Sequence, residues 1–338
     1  MEMYPMTETD PALAGAGGTP LVPVTARRRP ALSAPGWLRL ILSDRKAAVG
    51  VAILTFFVLV AIFGPLIWRG DPNVGDFTVR PQQAPSAAHW LGTDQQGRDI
   101  FLELVDGTRV ALVICFSVGA IATSLAVIIG MSAGYFGGWI DEVLMLITNI
   151  VLVIPSFPLI IVLTSFIQVK NANEPIILIL GFTGWAFGAR VLRSQTMSLR
   201  QKDFIQASIV RGESGMRIVL RDILPNMISL VVSGFIGTVL FALGTAAALV
   251  FLGYGDLSNA SWFSMLYWAQ NASALQIDAW WNFVPPGLAI ALVGTALALV
   301  NFGIDEISNP RLRTEKVKIP RDAVPPVAVA ASGKVAAR

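Results

Sequence analysis

Long apolar segments alternate with short polar ones along this chain of 338 residues. Six of the apolar segments are about 20 residues long, the length that an α-helix needs to cross a hydrocarbon core of roughly 30 Å. Because lipid offers no hydrogen bonds, each segment must satisfy its own backbone N–H and C=O groups as a helix. The sequence therefore predicts an all-α, polytopic membrane protein with spans near residues 47–68, 109–133, 143–168, 175–193, 228–252 and 282–304.

The composition agrees with a membrane protein. Hydrophobic residues make up 54% of the chain and charged residues only 14%, whereas a soluble domain carries about 25% charged residues. The net charge of +3 could suit nucleic acid, but basic residues that flank membrane spans produce the same excess. The positions of these residues decide between the two explanations.

Lysine and arginine are retained on the cytoplasmic side of a membrane. With the N-terminus inside, the cytoplasm receives six basic residues before the first span, seven between Arg190 and Asn226, and seven after residue 304. The outside receives Arg69, Arg80, Arg98 and Lys170. Both termini and the segment between spans four and five are therefore predicted to be cytoplasmic, and the basic charge needs no nucleic acid.

The two ends of the chain lack apolar periodicity. Residues 1–36 and 314–338 are predicted to be disordered cytoplasmic tails that flank a membrane domain at 37–313. The first apolar run has full membrane length, so we expect it to remain as a span and not to act as a cleaved signal peptide.

The predicted spans hold almost no ionisable residues in their central portions, which argues against an ion-coupled transporter. The single histidine, His89, and the single cysteine, Cys115, provide no metal-ligand spacing. No Walker motif and no intramembrane catalytic pair occurs. The sequence predicts a non-catalytic chain that binds no cofactor or metal and receives energy from another subunit. A self-sufficient channel or secondary transporter is the alternative.

One polar segment, QASIVRGESGMRIVLRDILPN at 206–226, follows the fourth span. Residues 204–211 suit an amphipathic helix, and residues 216–224 suit a second one that Pro225 stops. Gly212 and Gly215 allow a sharp turn between them.

Charged residues of this segment have helical spacing. Glu213, Arg217 and Arg221 are four apart and would share one face if the second helix begins early. A bent element with a polar face and an apolar face either lies on anionic lipid or docks a soluble partner.

The segment resembles the EAA loop of bacterial ABC importer permeases, whose pattern is Glu-Ala-Ala, three residues, Gly, nine residues, an apolar position, one residue, then Leu-Pro. Gln206, Ser208 and Asp222 depart from it, since the family has Glu, Ala and an apolar residue there. The resemblance implies that the ATPase-coupling residues are Gln206, Ala207, Ser208, Gly212, Glu213, Ser214, Gly215, Arg217, Leu224 and Pro225.

Further strings resemble C-type permease subunits of dipeptide, oligopeptide and nickel importers, in the same order over about 37–313. The outer-face string HWLGTDQQGRD carries the family motif residues Leu91, Gly92, Thr93, Asp94, Gly97, Arg98 and Asp99. The others are AGYFGGWIDE, IPSF, FLGYG and NPRLR, which begin at residues 133, 154, 251 and 309. Leu146 and Asn149 depart from the family, which usually carries an arginine and an acid there.

The resemblance implies a type I ABC importer permease in the bacterial cytoplasmic membrane. Such a subunit forms a heterodimer with a related permease, docks two cytoplasmic ATPase subunits that use ATP, and receives substrate from an external binding protein. Short peptides are the expected substrate. Oligosaccharides, nickel complexes or another small solute are alternatives.

Aromatic and small residues give further expectations. An interface belt of Trp262, Trp268, Trp280 and Trp281 is predicted on the outer side, with sugar stacking or contact with the binding protein as the alternative. Small-xxx-small spacing predicts close helix packing at Gly130 with Gly134, Gly184 with Gly188, and Ser233 with Gly237. Four prolines are predicted to kink or bound the third and sixth spans: Pro155, Pro158, Pro285 and Pro286.

Overall fold

The computed structural model describes residues 44–75, 81–166 and 173–308. The predicted tails at 1–36 and 314–338 lie outside these ranges. The helices are α1 (Arg45–Ile67), α2 (Ile100–Phe136), α3 (Gly138–Val153), α4 (Ser156–Phe166), α5 (Glu174–Thr183), α6 (Ala186–Arg200), α7 (Asp203–Val210), α8 (Gly215–Ile218), α9 (Leu224–Phe251), α10 (Trp262–Asn271) and α11 (Val284–Ser308). A π-helical turn (Val219–Ile223) joins α8 to α9, and a 3₁₀ turn (Trp280–Asn282) precedes α11.

Five of the six predicted spans are confirmed as helical runs that are long and apolar enough to cross a membrane. These runs are Arg45–Ile67, Ile100–Phe136, Glu174–Arg200, Gly215–Phe251 and Trp280–Asp305. Within the described ranges the only β-structure is an isolated bridge between Thr93 and Asp99. The all-α, polytopic architecture is therefore the one that the sequence predicts.

The third predicted span consists of two helices. α3 and α4 meet at an angle of 87° across Ile154 and Pro155. Ile154 is extended, with φ −72° and ψ 125°, because the ring of a following proline disfavours the helical conformation. The prediction of one helix over 143–168 is wrong, whereas the predicted kink at Pro155 is confirmed. If the bent pair counts as one crossing, the chain has six.

α2 is the central helix of the bundle. Its 37 residues reach about 55 Å, and it packs against α1, α3, α5, α6 and α9. A Cβ atom at Gly134 would lie 2.6 Å from the carbonyl oxygen of Arg193, and one at Gly130 would collide with that of Ala189. The predicted close packing at this glycine pair is therefore confirmed.

The other two predicted pairs are packed less tightly. A Cβ atom at Gly188 would lie 3.1 Å from the side chain of Ala126, whereas one at Gly237 would meet no atom within 4 Å. The prediction of close packing is therefore wrong at Gly237 for this chain alone, whereas Ser233 donates a hydrogen bond of 2.7 Å to Asn301 of α11.

Two polar contacts join α3 to α6. Arg193 forms a bidentate ion pair with Asp141. One turn earlier, Arg190 donates a hydrogen bond of 2.8 Å to Oδ1 of Asn149. The amide at position 149 thus keeps a hydrogen bond at a position where the resembling family carries an acid.

The four tryptophans of the predicted belt differ in burial. Trp262 begins α10, is fully buried, and donates a hydrogen bond of 3.0 Å from Nε1 to the carbonyl oxygen of Leu104. Trp268 donates in the same way to Leu257. Trp280 is half exposed. The belt prediction is therefore wrong for Trp262, whose indole N–H group binds backbone in the core. For Trp268, which is only partly buried, it stays a prediction.

Apolar side chains form two main clusters. The larger cluster joins α1, α2, α4, α5, α9, α10 and α11. The smaller one, here called the inner cluster, joins α2, α6, α9 and the segment that resembles the EAA loop. Its largest members are Met131, Tyr135, Trp185, Leu192, Ile205, Ile218, Val219, Ile223 and Met227.

Candidate functional site

Residues 200–226, here called the EAA-like loop, form two short helices with a bend between them. α7 ends at Val210, and the chain turns at Gly212, where φ is +76°. That left-handed conformation favours glycine. The structure thus confirms the predicted turn and its position, four residues after Ser208, while the residues' role in coupling stays a prediction.

Gly215 has a different reason to be glycine. It is the first residue of α8 and is absent from the positive-φ positions of the described chain. A Cβ atom there would lie 2.8 Å from Cε1 of Tyr135 and 3.1 Å from Cε1 of Phe136. Space, not backbone conformation, therefore excludes a larger residue.

The residues that depart from the EAA pattern make local contacts. Gln206 donates from Nε2 to the carbonyl oxygen of Arg200 at 2.8 Å, which caps the end of α6. Ser208 is buried, and its hydroxyl accepts a hydrogen bond of 2.8 Å from Arg211. Asp222 has one buried carboxylate oxygen that lacks a hydrogen bond. Two of the three substitutions thus add polar contacts within the loop.

Glu213 lies in the turn between the helices and contacts an arginine on each side of it. Its carboxylate lies 2.9 Å from the guanidinium of Arg211 and 3.4 Å from that of Arg217. Within the described part of the chain no ion pair joins it to Arg221. Because Glu213 precedes α8 and Ser214 is its N-cap, the predicted stack of three charges forms only in part.

Pro225 does not stop the second helix, contrary to the prediction. It lies in the first turn of α9, where its missing N–H is tolerated. Leu224 donates its N–H to the carbonyl oxygen of Val219, five residues earlier. Proline offers no N–H for a regular bond to Arg221, which accounts for the π-helical turn just before it.

The EAA-like loop has a buried face and an exposed face. Ile205, Ile218 and Ile223 are fully buried in the inner cluster. The exposed face carries the apolar side chains of Phe204, Ile209, Val210, Met216 and Leu220, and Val210 is 86% exposed. The loop is thus anchored on one side and presents an unusually apolar surface on the other.

A cavity of about 680 Å³ lies among the spans. Its wall includes the bend at Pro155, the break between α5 and α6 at Gly184, and the open face of α9 at Gly234 and Gly237. Besides the indole of Trp185, the polar side chains that line it carry hydroxyl groups: Thr123, Ser156, Thr183, Ser233 and Thr238. The wall is therefore uncharged and mostly apolar.

The outer-face motif folds into a tight loop directly before α2. Gly92 and Gly97 have positive φ angles of +79° and +74°. Asp99 is the N-cap of α2, accepts backbone N–H groups of its first turn, and lies 2.8 Å from Nδ1 of His89. Thr93 is fully buried and its hydroxyl accepts the backbone N–H of Gln83 at 2.9 Å.

Three buried ionisable side chains lie under this loop. Arg98 contacts Asp94 at 2.8 Å and Glu103 at 3.1 Å, and all three side chains are more than nine-tenths buried. Glu103 is missing from the predicted motif residues, although it lies on the first turn of α2 and faces Arg98. The predicted sites lie far apart, because the outer motif caps one end of α2 and the EAA-like loop contacts the other.

Comparison with known proteins decides the family. Residues 126–314 match the family described as binding-protein-dependent transport system inner membrane component. This match covers more than half of the chain. The chain belongs to this family of transport permeases. Residues 37–87 also match the N-terminal transmembrane domain of oligopeptide transport permease C. The type I ABC permease fold of the family agrees with the predicted fold.

Similar proteins cover most of the chain. The dipeptide transport system permease protein DppC of Alkalihalophilus pseudofirmus is 33% identical over 276 residues, which are 80% of this chain and 88% of that protein. The oligopeptide transport system permease protein OppC of Bacillus subtilis is 30% identical over 314 residues, 93% of this chain and all of that protein. OppC of Mycobacterium tuberculosis is 32% identical over 281 residues, 82% and 94% of the two chains.

Proposed function

We propose that this permease forms half of a translocation pathway for short peptides in the bacterial cytoplasmic membrane. It pairs with a second, related permease subunit and receives substrate from an external binding protein. Two cytoplasmic ATPase subunits bind and hydrolyse ATP, while this chain itself binds no cofactor and catalyses no reaction. The alternative solutes are oligosaccharides, nickel complexes and other small molecules.

The main structural support for this proposal is the exposed face of the EAA-like loop. Its five apolar side chains lie on a segment whose opposite face is anchored in the inner cluster. An anchored apolar surface suits a soluble partner that covers it, because burial of apolar area is the main favourable term in association. The salt bridges of Glu213 join arginines on the two sides of the bend.

The cavity among the spans is the proposed pathway surface. It faces the open side of α9, where a Cβ atom on Gly234 or Gly237 would meet no atom within 4 Å. A second permease subunit that approaches this side closes the cavity. An uncharged wall with hydroxyl groups binds no substrate charge strongly, which favours passage over retention.

Peptides are the proposed cargo because the relatives named above are described as dipeptide and oligopeptide permeases. Uptake of a radiolabelled tripeptide into cells that carry the complete transporter tests this. Excess unlabelled tripeptide should abolish uptake, whereas a trisaccharide or a nickel chelate should leave it unchanged. If the trisaccharide or the nickel chelate reduces uptake, peptides are not the specific cargo and the competing solute takes their place in the proposal.

Co-purification tests the docking role of the loop. Val210→Glu places a charge at the centre of the exposed apolar face and should lower recovery of the ATPase subunits about tenfold or more. Leu275→Glu is the matched control, since Leu275 is 73% exposed but lies in the outer segment. If Val210→Glu leaves ATPase recovery unchanged, the loop lies on lipid and the docking proposal is wrong.

A further inference from the structure

The last turn of α2 contacts the EAA-like loop through one aromatic side chain. Tyr135 is 8% exposed and belongs to the inner cluster. Its Cε1 atom lies where a Cβ atom of Gly215 would come within 2.8 Å, so the ring packs directly on the loop backbone. Phe136 stacks edge-on against the same ring, at 5.2 Å between centroids and 86° between planes.

Tyr135 also contacts the end of α6. The guanidinium carbon of Arg200 lies 5.6 Å from the centroid of the tyrosine ring, within the range of a cation–π interaction. Gln206 of α7 holds the carbonyl oxygen of Arg200 at 2.8 Å. One rigid ring therefore lies between the end of α6 and the start of α8.

The chain after Tyr135 leads to the cavity wall. Gly137 and Gly138 have φ angles of +68° and +54° and turn the chain sharply into α3. α3 ends at the 87° bend whose residues Ile154 and Pro155 line the cavity. A displacement of the end of α2 thus moves the base of the helix that forms this wall.

Close packing at this contact means that a movement of the loop backbone must also displace the tyrosine ring. Protein interiors are packed as densely as organic crystals, and an aromatic ring has only two side-chain torsions with which to yield. Gly215 leaves no gap against Tyr135 that could absorb a movement of the loop. We propose that Tyr135 is a positioning residue that transmits movement of the EAA-like loop to α3 and the cavity. This inference rests on the proposed coupling to ATPase subunits.

Spin-label distances in the complete transporter test the inference without reference to the cargo. Cys115→Ala removes the native thiol, and Leu275→Cys provides an outer reference label. The second label is placed in α3 at Val153→Cys or at the start of the loop at Lys202→Cys. Distances are measured in nanodiscs by pulsed electron paramagnetic resonance, before and after trapping with ATP and vanadate.

In the otherwise unchanged chain, trapping should shift both distances. Tyr135→Leu should keep the shift at position 202 and reduce the shift at position 153 about threefold or more. Tyr135→Phe keeps the ring and should behave as the unchanged chain. A purely structural role would instead alter both positions together, through loss of assembled complex.

The opposite side of the contact gives a second test. Gly215→Ala should displace the ring of Tyr135 and change the resting distance at position 153, and Tyr135→Leu in the same chain should restore it, since the smaller side chain makes room. If Tyr135→Leu keeps both shifts, or if the pair shows no compensation, the inference is wrong. If neither label shifts in the unchanged chain, the proposed coupling itself fails.

Discussion

Arg190 of α6 and Asn149 of α3 share a hydrogen bond of 2.8 Å between the guanidinium and the amide oxygen. It lies beside the bidentate pair of Arg193 and Asp141, so two arginines on successive turns of α6 hold α3. A charged acceptor makes a stronger bond to arginine than a neutral one does. Position 149 therefore carries the weaker of two possible partners for Arg190.

Asn149→Asp should stabilise the permease. The new carboxylate should raise the free energy of unfolding by about 1 kcal/mol, which a higher melting temperature in detergent would report. Asn149→Leu removes the acceptor and should lower the free energy of unfolding. In an Arg190→Gln background the aspartate should bring no gain, because its partner is gone. A gain that persists there would assign the effect to something other than this pair.

The contacts of Arg98 with its two buried acidic neighbours below the outer-face motif should be essential to the fold. Arg98→Met leaves Asp94 and Glu103 buried without a cation and should cost about 3–5 kcal/mol of stability. Arg69→Met is the control, because Arg69 is an exposed basic residue on the same predicted side. Adding Asp94→Asn and Glu103→Gln to Arg98→Met should recover part of the loss. Equal thermal unfolding of the two single variants would contradict this account.

The sequence predicts features that depend on neighbours along the chain. Apolar length predicts the spans, and the glycine at 212 predicts the turn, because both properties are local. The burial of Trp262 depends on Leu104, more than 150 positions away. Likewise, the need for glycine at position 215 depends on the nearby ring of Tyr135, and the contact of Glu103 with Arg98 depends on the fold of the outer loop. Hydrophobic periodicity contains no information on such contacts.

The π-helical turn should depend on Pro225. Pro225→Ala supplies an N–H that can bond to the carbonyl oxygen of Arg221, which should convert the turn to α-helix and reorient α7 relative to α9. Stability should change by no more than about 1 kcal/mol, since the proline lies in a first turn. The distance between spin labels at 202 and 275 in a Cys115→Ala chain would report the change.

Pro285→Ala is the matched control for this prediction. Pro285 also lies in a first turn, that of α11, but no π-helical turn precedes it. Its replacement should leave the distance between the two labels unchanged. The role assigned to Pro225 would be refuted by an unchanged distance in Pro225→Ala, or by equal shifts in both variants.

Substitutions at two glycines should distinguish packing within the chain from assembly with a partner. Gly134→Leu should force α2 from α6, because a Cβ atom already collides with the carbonyl oxygen of Arg193, and should destabilise the isolated permease by about 3 kcal/mol or more. Gly237→Leu meets open space and should change its stability by less than about 0.5 kcal/mol.

Gly237→Leu should instead reduce recovery of the second permease subunit, since its side chain would occupy the open face of α9 and enter the cavity. Thermal unfolding of the isolated chain and co-purification of the partner measure the two effects separately. Because the same substitution type is used at both positions, side-chain size is matched and only the surroundings differ. Normal partner recovery with Gly237→Leu would show that the partner binds elsewhere on this chain.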